Sequence, residues 1–297
     1  MVGVGQVSCD FVVALPRWPR AGEKLAIADR LATRPGGQIA TAVLAAVRLG
    51  LSGRFIGAVG EDREGEIALA PLRAAGIDLA PVRRIAGGAT RSAFVLVDER
   101  GERTVLGHRD PRLGLAPAQL SHDAIRSARV LLVDGEDLDA AAWAIAAARE
   151  AGVASVLDAE RANPDSEKLA MSVDFPIVSE SFCANSSDPP SDREVRAALE
   201  RLAGGRARMA VVTRGERGAL AVCDGEVFAQ PAMRVHAVDT TGAGDVFRGA
   251  FAWALLSGAS ARRALALAAT AGALACCGAG AQGSLPTAAD VERGVPG

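Results

Sequence analysis

The run VLLVDGEDLDAAAWAIAAAREAGVASVL (residues 130–157) carries a complete strand, helix and strand. Residues 130–133 are uninterrupted apolar and β-branched or leucine, the composition of a strand buried on both faces. The middle, DLDAAAWAIAAAREAG (137–152), has helical periodicity, with Asp137 or Asp139 to open it and Gly152 to close it. ASVL (154–157) then returns as a second buried strand. Two continuous apolar strands joined through a helix imply a parallel pair with a crossover.

The same rhythm extends outward. FIGAV (55–59), FPIV (175–178) and MAVV (209–212) read as further buried strands, and helices are expected at about 38–50, 64–75, 191–204, 243–257 and 260–277. The expectation is an α/β fold with a mostly parallel sheet covered on both faces.

Composition limits the partners. The chain has 297 residues, 49% of them hydrophobic, which suits one large domain. Its net charge of −2 with 23% charged residues gives no basic surface for nucleic acid or anionic lipid, so a small-molecule partner is expected. Five cysteines (Cys9, Cys183, Cys223, Cys276, Cys277) lie without a CxxC pair or adjacent histidines, arguing for a reduced compartment and against structural zinc. No basic leader and no run of about 20 apolar residues is present, so a cytoplasmic protein with no membrane association is expected.

Two segments break the rhythm. Residues 11–33 (FVVALPRWPRAGEKLAIADRLAT) and 90–107 (TRSAFVLVDERGERTVLG) read as strands joined by polar turns, the second with a hairpin tip at 98–102. Neither has a crossover helix, so they are expected to form a small antiparallel sheet standing off the main one, a lid or else an edge hairpin. Alternation in SAFVLVD sets Ala93, Val95 and Val97 on one side and Phe94 and Leu96 on the other. Both sides are apolar, so one can cover a site while the other meets a second subunit.

The chemistry concentrates in VDTTGAGDVFRGAFAWALLSG (238–258). Small residues Gly242, Ala243 and Gly244 lead into a helix with Val246, Phe247, Ala250, Phe251 and Ala254 on one face. Exposed amides at such a start make an anion site. Asp245 in the first turn is an odd choice for holding an anion, but suits phosphoryl transfer, where a base orients the attacking hydroxyl. The plainer alternative is capping, with Asp239 or Thr240 at the N-cap.

The whole run VDTTGAGDVFRGAF resembles the C-terminal signature of the ribokinase-like (PfkB) carbohydrate kinases. PGGQIATAVLAAVRLG (35–50), GAVGEDREG (57–65) and CGAGAQGSLP (277–286) are similar to that family's other conserved stretches, in the same order. The resemblance covers nearly the entire chain. It implies a three-layer α/β/α domain over 1–297 with a small β-sheet lid, and transfer of the ATP γ-phosphoryl group, with Mg2+, to a primary hydroxyl of a sugar or sugar-like molecule. It makes Asp245 the catalytic base and Gly242, Ala243 and Gly244 the anion hole. Asp10, Gly36, Gly37 and Thr41 become acceptor contacts, and Thr213, Gly215, Gly218, Thr241 and Ala275 line the nucleotide side. A monovalent cation, K+, would have Asp239, Thr241, Gly280 and Ser284 as its candidate residues. In the family a second subunit's lid often covers the first, so a homodimer through the lid is expected.

Two departures qualify the match. Many relatives carry an Asn where Thr41 stands, and Thr offers one hydroxyl only, so sugar specificity is not transferable. Relatives also commonly carry Asn-x-x-Glu after the strand matching FPIV, the Glu arranging magnesium-bound water. Here the chain reads SESF (179–182), leaving Glu180 as the substitute. His108 and Arg109 follow the hairpin and are either solvated or in reach of a polar or phosphorylated acceptor, and Arg91 and Arg103 are open in the same way. GAGAQG (278–283) follows a helix rather than a strand, which disfavours a dinucleotide-dependent oxidoreductase. An idle sugar or nucleotide sensor on the same scaffold is a further alternative, against which Asp245 argues. A nucleoside or vitamin acceptor is another.

Overall fold

A computed structural model describes residues 1–27, 31–98, 103–183 and 189–295. Residues 99–102 of the expected hairpin tip, 28–30 of the first lid segment and 186–188 of the SSDPPSD loop (186–192) lie outside the described residues.

Fourteen strands are assigned among the described residues: β1 (Val2–Val4), β2 (Ser8–Ala14), β3 (Ala32–Gly36), β4 (Arg54–Ile56), β5 (Ala58–Gly60), β6 (Arg83–Ile85), β7 (Ser92–Val97), β8 (Arg103–His108), β9 (Val130–Asp134), β10 (Ala154–Ala159), β11 (Phe175–Ser179), β12 (Met209–Thr213), β13 (Ala219–Cys223) and β14 (Glu226–Gln230). The helices are α1 (Gln38–Arg48), α2 (Arg63–Ala74), α3 (His122–Arg126), α4 (Leu138–Glu150), α5 (Pro164–Ser172), α6 (Asp192–Ala203), α7 (Ala243–Leu256), α8 (Ala261–Ala275) and α9 (Ala288–Gly294).

The central sheet has the order β14-β13-β12-β11-β10-β9-β1-β4, parallel from β4 to β12 and closed by an antiparallel β12-β13-β14 edge. Alternation divides each buried strand between two cores. Val130 and Leu132 pack with α1, α2, α7 and α8, whereas Leu131 and Val133 pack with α3 to α6. Each such side chain stabilises the fold by about 1.5–3 kcal/mol, which is why continuous apolar runs are needed rather than alternating ones.

The sequence expectations need three corrections. FIGAV is not one strand: it breaks at Gly57 into β4 in the main sheet and β5, which pairs with β6. A Cβ at Gly57 would stand 2.6 Å from the Phe55 ring and 2.9 Å from the Gly5 carbonyl, so only glycine permits the bend. The small sheet, β3-β2-β7-β8, is mixed rather than antiparallel: β2–β3 and β7–β8 are antiparallel, but the β2–β7 join is parallel. Short helices α3, α5 and α9 were not anticipated, being too brief for their periodicity to show.

One contact fixes the site. A Cβ at Gly249 of α7 would lie 2.2 Å from the Ala42 carbonyl of α1, so the two backbones touch there. Gly37 precedes Ala42 by five residues and Gly242 precedes Gly249 by seven, so both helix starts lie roughly 8–11 Å from the crossing.

Candidate active site

Helix α7 begins at Gly242, in the left-handed conformation (φ 80°) and with no side chain capping it. This removes the capping reading of Asp239 and Thr240. A Cβ at 242 would meet Ala281 at 2.7 Å, so the turn is pressed against the 278–283 loop. Asp239 joins the two: Oδ1 accepts from the Thr241 amide and Oδ2 from the Gly280 amide, each at 2.8 Å. Thr241 Oγ1 is buried without a hydrogen-bond partner. The first intrahelical bond comes from the Val246 amide to the Gly242 carbonyl. Amides at 244 and 245 therefore precede the helical ladder, as the first turn of any helix requires. Amides at the first turn of a helix suit an anion.

Asp245 stands in that turn, close enough to Asp158 at the end of β10 for the two carboxyls to influence each other. Asp158 is fully buried, and Arg248, one turn along α7, brings Nη2 to 2.8 Å from its Oδ1. That approach is off the hydrogen-bond line, and both Asp158 oxygens lack a well-directed donor. Burial pushes the Asp158 carboxyl up to about 7, with the Arg248 guanidinium opposing. Arg248 is anchored by Nε, which donates to the Ile177 carbonyl at 3.1 Å. Its Nη1 fills the space a Cβ at Gly244 would occupy, at 2.6 Å. Asp245 thus sits beside a buried carboxyl held over a buried cation.

The side expected to meet the acceptor is built from the Gly-Gly turn. Gly36 ends β3 and Gly37 caps α1 with φ 97°. A Cβ at 36 would overlap Asp10 Oδ2 at 2.2 Å, and one at 37 would strike the Val7 Cα at 2.5 Å. Burial raises the Asp10 carboxyl, while the Ser8 hydroxyl at 2.8 Å and the Arg91 charge lower it. Thr41 is fully buried and its hydroxyl accepts from Gln282 Nε2 at 3.2 Å, so it binds the 278–283 loop.

Beside this turn is an open cleft lined by Gly5, Gln6, Ala58, Arg91, Arg109 and Asp137 among others. Arg109 pairs with Asp137, which caps nothing by its side chain, and its Nη1 is 3.6 Å from Glu136. Arg91 is 3.3 Å from the same carboxylate. Arg109 is therefore a lining residue, and Arg91 joins it. Asp134, at the end of β9, is pushed up to about 7 by burial, although it accepts from the Gln6 amide at 2.7 Å.

On the nucleotide side, Thr213 ends β12 and residues 214–218 form a tight turn with Gly215 (φ 56°) and Gly218 (φ 80°) in conformations that favour glycine. A Cβ at 215 would meet nothing within 4 Å, which leaves an open approach, whereas one at 218 would strike the Gln230 carbonyl at 2.0 Å. Ala275 is buried near the end of α8. Glu180 pairs with Arg217 and is 3.9 Å from Arg214 Nε, so its carboxylate is already engaged. Ser284 donates to the Leu274 carbonyl at 3.4 Å. No group of three or more His, Cys, Asp or Glu side chains able to hold a metal occurs among the described residues.

Asp134, Glu136, Asp158, Arg248 and Gln6 were not singled out from the sequence. The signal available was an acid at the carboxyl end of a buried parallel strand, where α/β sheets bind ligands.

Comparison with known proteins agrees with this architecture. The model of the pfkB family carbohydrate kinases matches residues 2–288. The chain is 31% identical over 293 residues to an ATP-dependent ribose-1-phosphate kinase of Halopiger xanaduensis, covering 97% of this chain and 95% of that protein. It is 27% identical to the Bacillus subtilis ribokinase, covering 98% and 97%. The solved Arabidopsis thaliana ribokinase, complexed with ribose and ATP, superposes with a TM-score of 0.84 at 24% identity, covering 100% and 98%. The match runs through the Gly-Gly turn, the small sheet and the uncapped start of α7 alike, and the chain belongs to the pfkB family of carbohydrate kinases.

Proposed function

We propose that this chain transfers the γ-phosphoryl group of ATP to a primary hydroxyl of a sugar or sugar-like acceptor, with Asp245 as general base and the Gly242–Gly244 turn as anion hole. The observation that carries the proposal is the start of α7 at a left-handed glycine, which sets first-turn amides and the Asp245 carboxylate within one helical turn. In this reading the amides stabilise charge on the transferring group while Asp245 orients the hydroxyl and takes its proton. Asp158, paired with the buried Arg248, steadies the surroundings of the base. Asp10 accepts bonds from the acceptor's other hydroxyls, and the 214–218 turn faces the nucleotide. Mg2+, bound with the nucleotide, would neutralise phosphate oxygens during transfer. A K+ requirement rests on family resemblance alone.

The test is Asp245→Asn, assayed by ADP release over ribose, fructose, other aldoses and ketoses, sugar phosphates, sugar acids and nucleosides. Loss of a general base lowers kcat by ~10²–10⁴-fold while ATP binding stays near parental. A variant with parental kcat on its best acceptor would refute the assignment. No turnover of any acceptor by the parent would favour a sensor.

A further inference from the structure

The relatives act, by name, on both a neutral sugar and a sugar phosphate, so similarity does not say which this chain accepts. The cleft beside the Gly-Gly turn does bear on it. A neutral sugar is recognised through hydroxyls, for which carboxylates and amides suffice. This cleft presents, beside the Asp137 carboxylate, two guanidinium groups, Arg91 just before β7 and Arg109 just after β8, which converge on the Glu136 carboxylate. Between them and β1 lies Gln6, 8% exposed, whose Nε2 has no hydrogen-bond partner. A buried amide N–H left without an acceptor is destabilising, and a ligand oxygen would relieve it.

Arg109 pairs closely with Asp137, a carboxylate that a bound anion would have to share or displace, whereas the contacts of both arginines with Glu136 are looser. Arg91 and Arg109 are about one-third exposed and meet Glu136 at 3.3 and 3.6 Å, longer than a good charge-assisted bond. Such ion pairs contribute little individually. Each guanidinium has five donors in a planar fork, which matches the oxygens of a phosphate monoester better than a single carboxylate. Neither the 242–244 turn nor Asp245 lines the cleft, so the pair addresses the end of the acceptor remote from the reacting hydroxyl.

We infer that the acceptor is a sugar already carrying a phosphate, and that Arg91, Arg109 and the Gln6 amide form the subsite for that dianion. This rests on the kinase reading above, but its test is separable from it. Isothermal titration of the whole chain, with ADP present, compares matched pairs: ribose with ribose 1-phosphate and ribose 5-phosphate, and fructose with fructose 1-phosphate and fructose 6-phosphate. At least one phosphorylated sugar is expected to bind about tenfold or more tightly than its neutral partner, as charge-assisted bonds to a dianion imply. Arg91→Gln and Arg109→Gln should each remove most of that advantage while changing neutral-sugar affinity less than about threefold. Arg91→Lys and Arg109→Lys should restore part of it, and unchanged ADP affinity reports that the variants are folded.

Equal or better binding of every neutral partner overturns the subsite, as does an equal loss for both members of a pair in the Gln variants. Gluconate binding as well as the best sugar phosphate would also overturn it, since a monoanion would then suffice. Tight phosphosugar binding without ADP release from ATP upholds the subsite and refutes the kinase reading instead. Turnover of neutral sugars with no phosphosugar preference does the reverse.

Discussion

Replacing Arg248 by Met would remove the cation from a pair whose side chains are only 4% and 1% exposed. Asp158 would keep its burial but lose the interaction that opposes it. Breaking a buried pair on one side typically costs about 3–5 kcal/mol. For a chain of this size about 2 °C of Tm accompanies each kcal/mol, so a fall of roughly 6–10 °C is expected. Because Asp158 already titrates at about 7, the variant should hold it protonated, and the loss should be greatest at alkaline pH. The folded carboxyl has a raised pKa, so its contribution to stability is full below about pH 4 and is lost as the pH rises through about 7, at up to about 1.4 kcal/mol per pH unit. Asp134 has the same sign and window. Asp158→Asn should remove one of these two slopes, and Asp158→Asn with Arg248→Met should recover most of the stability lost in Arg248→Met alone. Thermal unfolding of the four proteins from pH 5 to 9 is the assay. A single-variant cost below about 1 kcal/mol, or a double variant no more stable than Arg248→Met, would show that the pair is not coupled as described.

Asp10→Ala should raise the acceptor KM about 10–150-fold and leave the ATP KM nearly unchanged, since a charged hydrogen bond is worth ~1.5–3 kcal/mol; steady-state kinetics with each substrate varied checks it. Gly242→Ala should lower kcat and thermal stability together, because the added methyl meets Ala281 at 2.7 Å in a left-handed backbone; a stable variant with parental kcat would contradict the pressed turn. Phe94, 48% exposed and stacked 5.2 Å from Phe11, lies on an outer face with Leu106, 56% exposed, opposite it. If that face meets a second subunit, Phe94→Asp should shift light scattering from dimer to monomer, and a parental monomer at micromolar concentration with full activity would rule the dimer out.

The layer architecture was legible because strands buried on both faces must be continuously apolar, and 130–133, 175–178 and 209–212 are. The α7 signature was legible because its glycines, small residues and acid occur within one turn. What could not be read is what depends on distant partners. Arg248 looks like an ordinary helix residue until β10 brings Asp158 beneath it, 90 positions away in the chain. Thr41 has the character of a ligand contact, yet Gln282 takes its hydroxyl. The parallel β2–β7 join was missed because strand direction depends on how both segments leave the main sheet, which alternation does not encode.

The contact of Gly249 with Ala42 sets a distance within the molecule. The starts of α1 and α7 are spaced by a helix crossing inside the core, so in the kinase reading the distance between acceptor and phosphoryl group is inherited from folding. Gly36 on β3 and Asp10 on β2 tie the small sheet to the same turn, so only its outer strands can change without disturbing that spacing. A single methyl at position 249 would move both helix starts at once.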